Sequence, residues 1–158
     1  MHEKSIELLN RALAEELSAV HQYMYFHFHL DDQGYFPLAG LMKQTSIHEM
    51  RHAEGLAERI LFLDGEVEMA FSDPVQKIHD AKGMLERAKA MEVASAEFYN
   101  QAAQECAKNA DAASKKIFEE LVADEEGHAD TFDQQITYIE RFGERFLALQ
   151  SIPGDPAE

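Results

Sequence analysis

The sequence predicts an all-α protein built around a bundle of four long helices. Ala, Leu, Glu, Gln, Lys and Met dominate four long segments. Apolar residues recur in them at spacings of three and four, as in Leu9, Leu13, Leu17, Val20 and Met24. Turn-forming residues are few and lie in clusters between these segments. No segment alternates apolar and polar residues in the way that a half-buried strand does.

The clusters of turn-forming residues set the predicted helix boundaries. The first cluster contains Gly34 and Pro37, the second contains Asp64 and Pro74, and the third lies at residues 109–111. Each segment between them is rich in strong helix formers and poor in proline. The four long helices are predicted at residues 3–31, 37–63, 80–107 and 112–142, and a short fifth helix at 144–150.

The lengths of the connections predict how the helices are arranged. Short connections make neighbouring helices antiparallel, whereas the segment from Asp64 to His79 is long enough to carry the chain back along the bundle. One such long crossover connection is typical of a ferritin-like four-helix bundle. We therefore predict one domain over residues 1–150 and a loose C-terminal tail over residues 151–158.

The net charge of the chain restricts the kinds of partner that it is expected to bind. The 158 residues include 30 acidic and 14 basic side chains, which gives a formal net charge of −16. So acidic a protein is not expected to bind nucleic acid or an anionic membrane, whereas its surface can concentrate metal cations. No apolar run approaches the roughly 18 residues that span a bilayer, and the N-terminus lacks a signal-peptide pattern. The sequence therefore predicts a cytoplasmic protein.

Residues 48–52, HEMRH, carry a metal-binding signal. Read alone, they match the HExxH pattern in which two histidines on one helical face bind zinc and the glutamate acts as a base. This interpretation would make His48 and His52 the ligands of a zinc peptidase. It also requires a third ligand, which the motif does not supply.

A Glu-x-x-His pair occurs twice in the chain, once in each half. Glu49 and His52 form the first pair, and Glu125 and His128 form the second. Residues three apart lie about 60° apart around a helix and one turn along it, so each pair can point at one ion. The pairs are 76 residues apart (125 − 49), which indicates an internally duplicated helical hairpin.

The duplication extends to the other two long helices. Glu16 and Glu92 each stand 33 residues before the glutamate of a pair, and Tyr23 and Tyr99 follow them by seven residues on the same face. One Glu-x-x-His could arise by chance in so acidic a chain, but matched spacing on four helices is far harder to obtain. Di-iron carboxylate bundles use this set, with one Glu from each of two helices and Glu-x-x-His from the others.

This ligand set favours a dinuclear site over the zinc peptidase. Carboxylates can bridge two cations and leave coordination positions free, so four of them with two imidazoles suit a pair of iron or manganese ions. His48 precedes Glu49 by one residue and is therefore rotated about 100° from the ligand face. HEMRH is predicted to be half of the dinuclear site. The predicted metal ligands are Glu16, Glu49, His52, Glu92, Glu125 and His128.

The chain resembles bacterioferritins over nearly its whole length. Four stretches carry the resemblance: AEELSAVHQY (14–23), HEMRHAEGLAERILFLDG (48–65), AMEVASAEFY (90–99) and DEEGHAD (124–130). The resemblance implies a ferroxidase and iron-storage subunit in a homo-oligomeric, hollow 24-subunit cage built from twofold dimers. Fe(II) would be the substrate and O2 or H2O2 the oxidant, and ferric mineral would accumulate inside the cage.

The same resemblance implies individual roles, with two iron ions per subunit. Tyr23 would hydrogen-bond a metal ligand. Met50 stands where bacterioferritins carry the methionine that ligates a haem shared between two subunits at their twofold interface. A small ferredoxin would donate electrons through that haem for iron release. The implied metal assignment is Glu16 with His52 for one ion, Glu92 with His128 for the other, and Glu49 with Glu125 as bridges.

Two other functions remain open at this point. A non-mineralising di-iron oxidoreductase or peroxidase, similar to rubrerythrin, would use the same ligands without storing iron. Such a protein usually carries a cysteine-rich iron domain, whereas this chain has one cysteine, Cys106, and no CxxC motif. A non-enzymatic acidic bundle would have no iron chemistry to lose when Glu92 or Glu125 is replaced by alanine.

Overall fold

The structure, a computed structural model, describes residues 2–152 as four long helices and one short helix. The helices are α1 (Glu3–Asp32), α2 (Phe36–Phe62), α3 (Ala81–Lys108), α4 (Ala112–Phe142) and α5 (Glu144–Leu149). α1 packs chiefly on α2, and α3 packs chiefly on α4. Among residues 2–152 there is no strand, and no helix is long and apolar enough to cross a membrane. The predicted four-helix bundle with a short C-terminal helix is confirmed.

The helix ends lie within one residue of the predicted ones, and local chemistry explains the differences. The Asp80 side chain accepts the Gly83 N–H at 2.8 Å, so Asp80 is the N-cap of α3 and not its first residue. Asp64 adopts a left-handed backbone with φ 58°, which a helix cannot continue through. The predicted tail falls mostly on residues 153–158, which lie outside the described residues.

Residues 63–80 form the predicted crossover, which runs along α1 and is held there by side chains of that helix. Asn10 donates to the Glu66 carbonyl and accepts the Glu68 N–H, both at 2.9 Å. Farther along, Gln22 donates to the Gln76 carbonyl at 3.0 Å and accepts its N–H at 2.8 Å. These bonds satisfy backbone groups that no regular structure pairs, and they return the chain to the start of α3.

We expect replacement of Asn10 by alanine to lower the free energy of unfolding of the metal-free protein by about 1–3 kcal/mol. The substitution leaves two backbone groups of the crossover without their partner, which outweighs the better helix propensity of alanine. Urea denaturation followed by circular dichroism measures the change. Asn100→Ala on the exposed face of α3 is the control and should be neutral or stabilising. Equal values for the two variants would contradict the proposed anchoring.

The bundle core is divided into two apolar clusters with a polar layer between them. On α4, Leu121 belongs to one cluster and Phe132 to the other, and Glu125 and His128 lie between the two. The other long helices show the same order. The first cluster includes Leu9, Leu13, Leu56, Phe98 and Phe118, and the second includes Phe26, Leu30, Met42, Met84 and Phe132. Packing on both sides therefore fixes the position of the polar layer.

Candidate metal centre

The six predicted metal ligands lie together in this polar layer. Every long helix contributes, with Glu16 from α1, Glu49 and His52 from α2, Glu92 from α3, and Glu125 and His128 from α4. The four carboxylates are at most 2% exposed. Carboxylates are almost never buried to this extent unless they are paired or bind a cation.

Glu49 and Glu125 each lie between the two histidines. The Glu49 oxygens are 2.9 Å from Nδ1 of His52 and 2.9 Å from Nδ1 of His128. The Glu125 oxygens are 3.0 Å and 3.8 Å from the same two nitrogens. Each of these carboxylates therefore faces both histidines at once. A ligand that bridges two cations requires this arrangement.

Glu16 and Glu92 each approach only one of these histidines. A Glu16 oxygen is 3.5 Å from Nδ1 of His52, and a Glu92 oxygen is 3.4 Å from Nδ1 of His128. Two groups of possible ligands result, and within each group the ligand atoms lie within 4.8 Å of one another. The groups are Glu16, Glu49, His52 and Glu125, and Glu49, Glu92, Glu125 and His128. They form two adjacent candidate cation sites that share Glu49 and Glu125.

Two buried tyrosines hydrogen-bond Glu16 and Glu92, the carboxylates that belong to one ligand group each. The Tyr99 hydroxyl donates to Glu16 at 2.5 Å, and the Tyr23 hydroxyl donates to Glu92. Burial raises the pKa of both phenols well above the ordinary value, so both remain donors. Sequence reasoning gave a role to Tyr23 alone. The structure gives Tyr99 the equivalent contact, as the 76-residue repeat would have indicated.

Burial and the neighbouring ionisable side chains raise the pKa of four of these groups. Burial, together with the charge of Glu49, raises the pKa of Glu16 to about 8. Burial and a hydrogen bond with Glu125 raise the pKa of Glu92 to about 8. Burial alone would lower the pKa of both histidines, but the surrounding carboxylates favour the charged form and outweigh it. The pKa of His128 rises to about 12, and that of His52 also rises far above its ordinary value.

Several buried atoms of the layer lie close to an opposite charge but make no hydrogen bond with suitable angles. Buried polar atoms are normally paired, so such a concentration marks a site for a ligand. A cation between the carboxylates would satisfy all of these atoms, and the mixed carboxylate and imidazole donors fit iron or manganese. The atoms are Glu49 Oε1, Glu92 Oε2, Glu125 Oε1 and His128 Nδ1.

We expect two divalent ions that enter this layer to release about four protons per chain near pH 6, one from each group with a raised pKa. Those groups hold protons at about pH 6, and a metal binds only their deprotonated forms. The release should fall towards about two as the pH rises through the pKa of the two carboxyls, which then ionise without a metal. Anaerobic Fe²⁺ addition in a pH-stat measures the release, and a pH-independent release would contradict the assignment.

Two further residues lie immediately outside the six. Nδ1 of His48 is 2.7 Å from Nε2 of His128, and Asp124 Oδ2 is 2.9 Å from Nε2 of His52. Burial and the neighbouring imidazoles lower the pKa of His48. Sequence reasoning set His48 aside and missed Asp124. The repeat held the signal, because the two residues are 76 apart and each precedes a glutamate of the layer.

Met50 lies apart from the polar layer, on the exposed side of α2. Its side chain is 46% exposed, and Ile47, one turn earlier, is 37% exposed. Large apolar side chains on the outside of a helix indicate a surface that another apolar group covers. Its predicted role as a haem ligand stays a prediction at this point.

Comparisons with known proteins agree with the motifs. Residues 6–142 match the model of the ferritin-like domain family. Bacterioferritin of Rhodobacter capsulatus is 40% identical, with 98% of this chain and 97% of the relative covered. Bacterioferritin of Brucella melitensis is 38% identical, with 98% and 97% covered.

Two solved structures are similar over almost the entire chain. Bacterioferritin of Desulfovibrio desulfuricans, whose structure describes a diiron site in different catalytic states, has a TM-score of 0.94 and 35% identity over 98% of this chain and 91% of that chain. Bacterioferritin of R. capsulatus, with a metal-free dinuclear site and haem iron in a crystallographic special position, has a TM-score of 0.93 and 37% identity over 99% of both chains. The resemblance that the motifs indicated is confirmed. The chain therefore belongs to the bacterioferritin family of ferritin-like proteins.

Proposed function

We propose that this protein stores and detoxifies iron, and that its dinuclear layer is a ferroxidase centre that oxidises Fe(II) to Fe(III) with O2 or H2O2. The observation that carries the proposal is the pair of adjacent ligand groups that share Glu49 and Glu125. Two ferrous ions held in this way supply two electrons together, which reduce O2 to H2O2 or H2O2 to water. The diiron site of the D. desulfuricans relative supports iron as the metal.

Each ligand has a part in this proposal. Glu49 and Glu125 would bridge the two ions, and their charge would offset the greater positive charge of the ferric products. The hydroxyl of Tyr99 orients Glu16, and that of Tyr23 orients Glu92. The other oxygen of each carboxylate would then be left to bind an ion. The metal assignment is Glu16 with His52 for one ion and Glu92 with His128 for the other.

We extend the proposal to a haem shared by two copies of the chain. Met50 is half-exposed on α2, one turn after the partly exposed Ile47, so its side chain can be approached from outside the bundle. A twofold axis would bring the Met50 side chains of two copies to one haem. The haem iron in the R. capsulatus structure lies on a crystallographic special position, which supports such an arrangement. The haem would conduct electrons for iron release.

The remaining parts of the proposal come from family membership. They are a single domain over residues 1–150, a homo-oligomeric 24-subunit cage built from twofold dimers, a small ferredoxin as electron donor, and a cytoplasmic location. The family match over residues 6–142 supports the single domain. Exposed apolar residues on several faces, such as Phe28, Phe62 and Leu149, are consistent with burial in an assembly.

Aerobic titration of the metal-free protein with Fe(II) tests the proposal. We expect rapid oxidation of about two iron ions per chain at the two ligand groups, followed by continued uptake far beyond that number. Ferric absorbance and iron retained after gel filtration measure both phases. Saturation near two ions would favour the non-mineralising, rubrerythrin-like oxidoreductase, and no binding would remove both iron functions.

A further inference from the structure

A second group of metal-binding side chains lies on the outer side of the dinuclear layer. It consists of His48 and His52 on α2 and Asp124 on α4. Asp124 Oδ2 is 2.9 Å from Nε2 of His52 and 3.7 Å from Nε2 of His48. The ligand atoms of all three residues lie within 4.8 Å of one another.

These separations suit one small cation. Zinc binds nitrogen and oxygen ligands at roughly 2.0–2.1 Å in a tetrahedron, which places neighbouring ligand atoms about 3.3 Å apart. The two distances to Asp124 lie on either side of that value, so small side-chain rotations close the site. His48 and His52 are one turn apart on α2, the spacing of two zinc-binding histidines on a helix. Asp124 supplies the third ligand, which HEMRH alone lacks.

The outer group differs from the dinuclear layer in access and in chemistry. The side chains of His48 and Asp124 are 41% and 44% exposed, so an ion can reach them from solvent and a fourth position stays open to water. Two imidazoles to one carboxylate favour Zn²⁺ or Co²⁺ more than the carboxylate-rich inner layer does.

We propose that His48, His52 and Asp124 form a mononuclear binding site for a divalent transition-metal ion of the zinc type, which shares His52 with the inner layer but is distinct from its two cation sites.

The outer site and the inner layer share His52 and compete for it, a consequence that rests on the proposed ferroxidase function. A neutral imidazole has one nitrogen with a free lone pair, so a His52 that binds the outer ion through Nε2 presents Nδ1–H to Glu49 and Glu125. A His48 bound through Nε2 likewise donates from Nδ1 to Nε2 of His128. One outer ion thus keeps Nδ1 of both inner histidines protonated and hinders iron binding at these atoms.

Zinc-soaked crystals of the full-length protein test the proposal by anomalous scattering at the zinc absorption edge. We expect a peak bounded by His48, His52 and Asp124. That peak should disappear in His48→Ala and persist in His79→Ala, a control that removes an exposed histidine from the crossover. Zinc found only among the four glutamates of the wild-type protein would overturn the proposal.

A second measurement isolates the outer site in solution. In a Glu49→Gln background, which weakens the inner layer, Co²⁺ titration followed by visible absorption should show one ion bound per chain. Adding His48→Ala should abolish this binding, and unchanged binding would overturn the proposal. Neither experiment involves iron oxidation, so failure of the outer site and failure of the ferroxidase function give different results.

Discussion

Glu49→Gln is expected to abolish most ferroxidase activity. Both Glu49 oxygens face a histidine of the layer at 2.9 Å, one in each half. Glutamine keeps the volume of the side chain but replaces one oxygen with an NH2 group, which cannot bind a cation. The bridge between the two ions is then lost. Loss of a residue that only hydrogen-bonds a metal ligand lowers activity by roughly 10- to 100-fold. The rate of Fe(II) oxidation should fall by more than this, because Glu49 is itself a predicted ligand.

Stopped-flow absorbance of ferric product at two Fe(II) per chain measures this loss. Glu54→Gln is the matched control, because it makes the same chemical change at an exposed position of the same helix. It should oxidise iron at the wild-type rate. Circular dichroism should show both variants to be folded, since an isosteric amide leaves the packing unchanged. A Glu49→Gln protein as fast as the Glu54→Gln control would exclude Glu49 as a bridge.

Met50→Leu is expected to remove haem from the protein almost completely. Leucine keeps an apolar side chain of similar size at this exposed position but has no sulfur to bind the haem iron. Two axial ligands should be lost at once, because a twofold axis makes each substitution appear on both sides of the haem. The inner carboxylates are untouched, so the variant should still bind iron.

Haem reconstitution followed by Soret absorbance measures the haem content per chain. Met91→Leu is the control, since it removes a thioether from α3, where Met91 packs against the second apolar cluster. That variant should bind haem as the wild type does. An unchanged Soret band in Met50→Leu would mean that another residue ligates the haem or that haem binds elsewhere.

The helices could be read from the sequence because their causes are local. Apolar spacing, strong helix formers and clusters of turn residues all act within a few residues, so each observed end lies within one residue of the prediction. The remaining differences come from cap geometry, such as the side chain of Asp80, which holds that residue outside α3.

The candidate ligands could also be found from the sequence, because each of them has a counterpart 76 residues away in the internal repeat. Tyr99 was part of the repeat pattern, but its contact with Glu16 joins α3 to α1 and depends on how those helices pack. His48 was set aside from its rotation relative to Glu49, yet it contacts His128 of another helix. The position of a residue around its own helix does not predict which side chains of a neighbouring helix it contacts.

The sequence by itself determined the helical bundle, the long crossover, the six candidate ligands and the family. Periodicity and repeated spacing are properties of the chain that survive without any knowledge of packing. Only the tertiary structure decided which carboxylate oxygens face both histidines, how Tyr23 and Tyr99 hold the other two, and where His48 meets Asp124. These features are distances of a few ångströms between side chains on different helices, and burial by two apolar clusters sets both the distances and the raised pKa values.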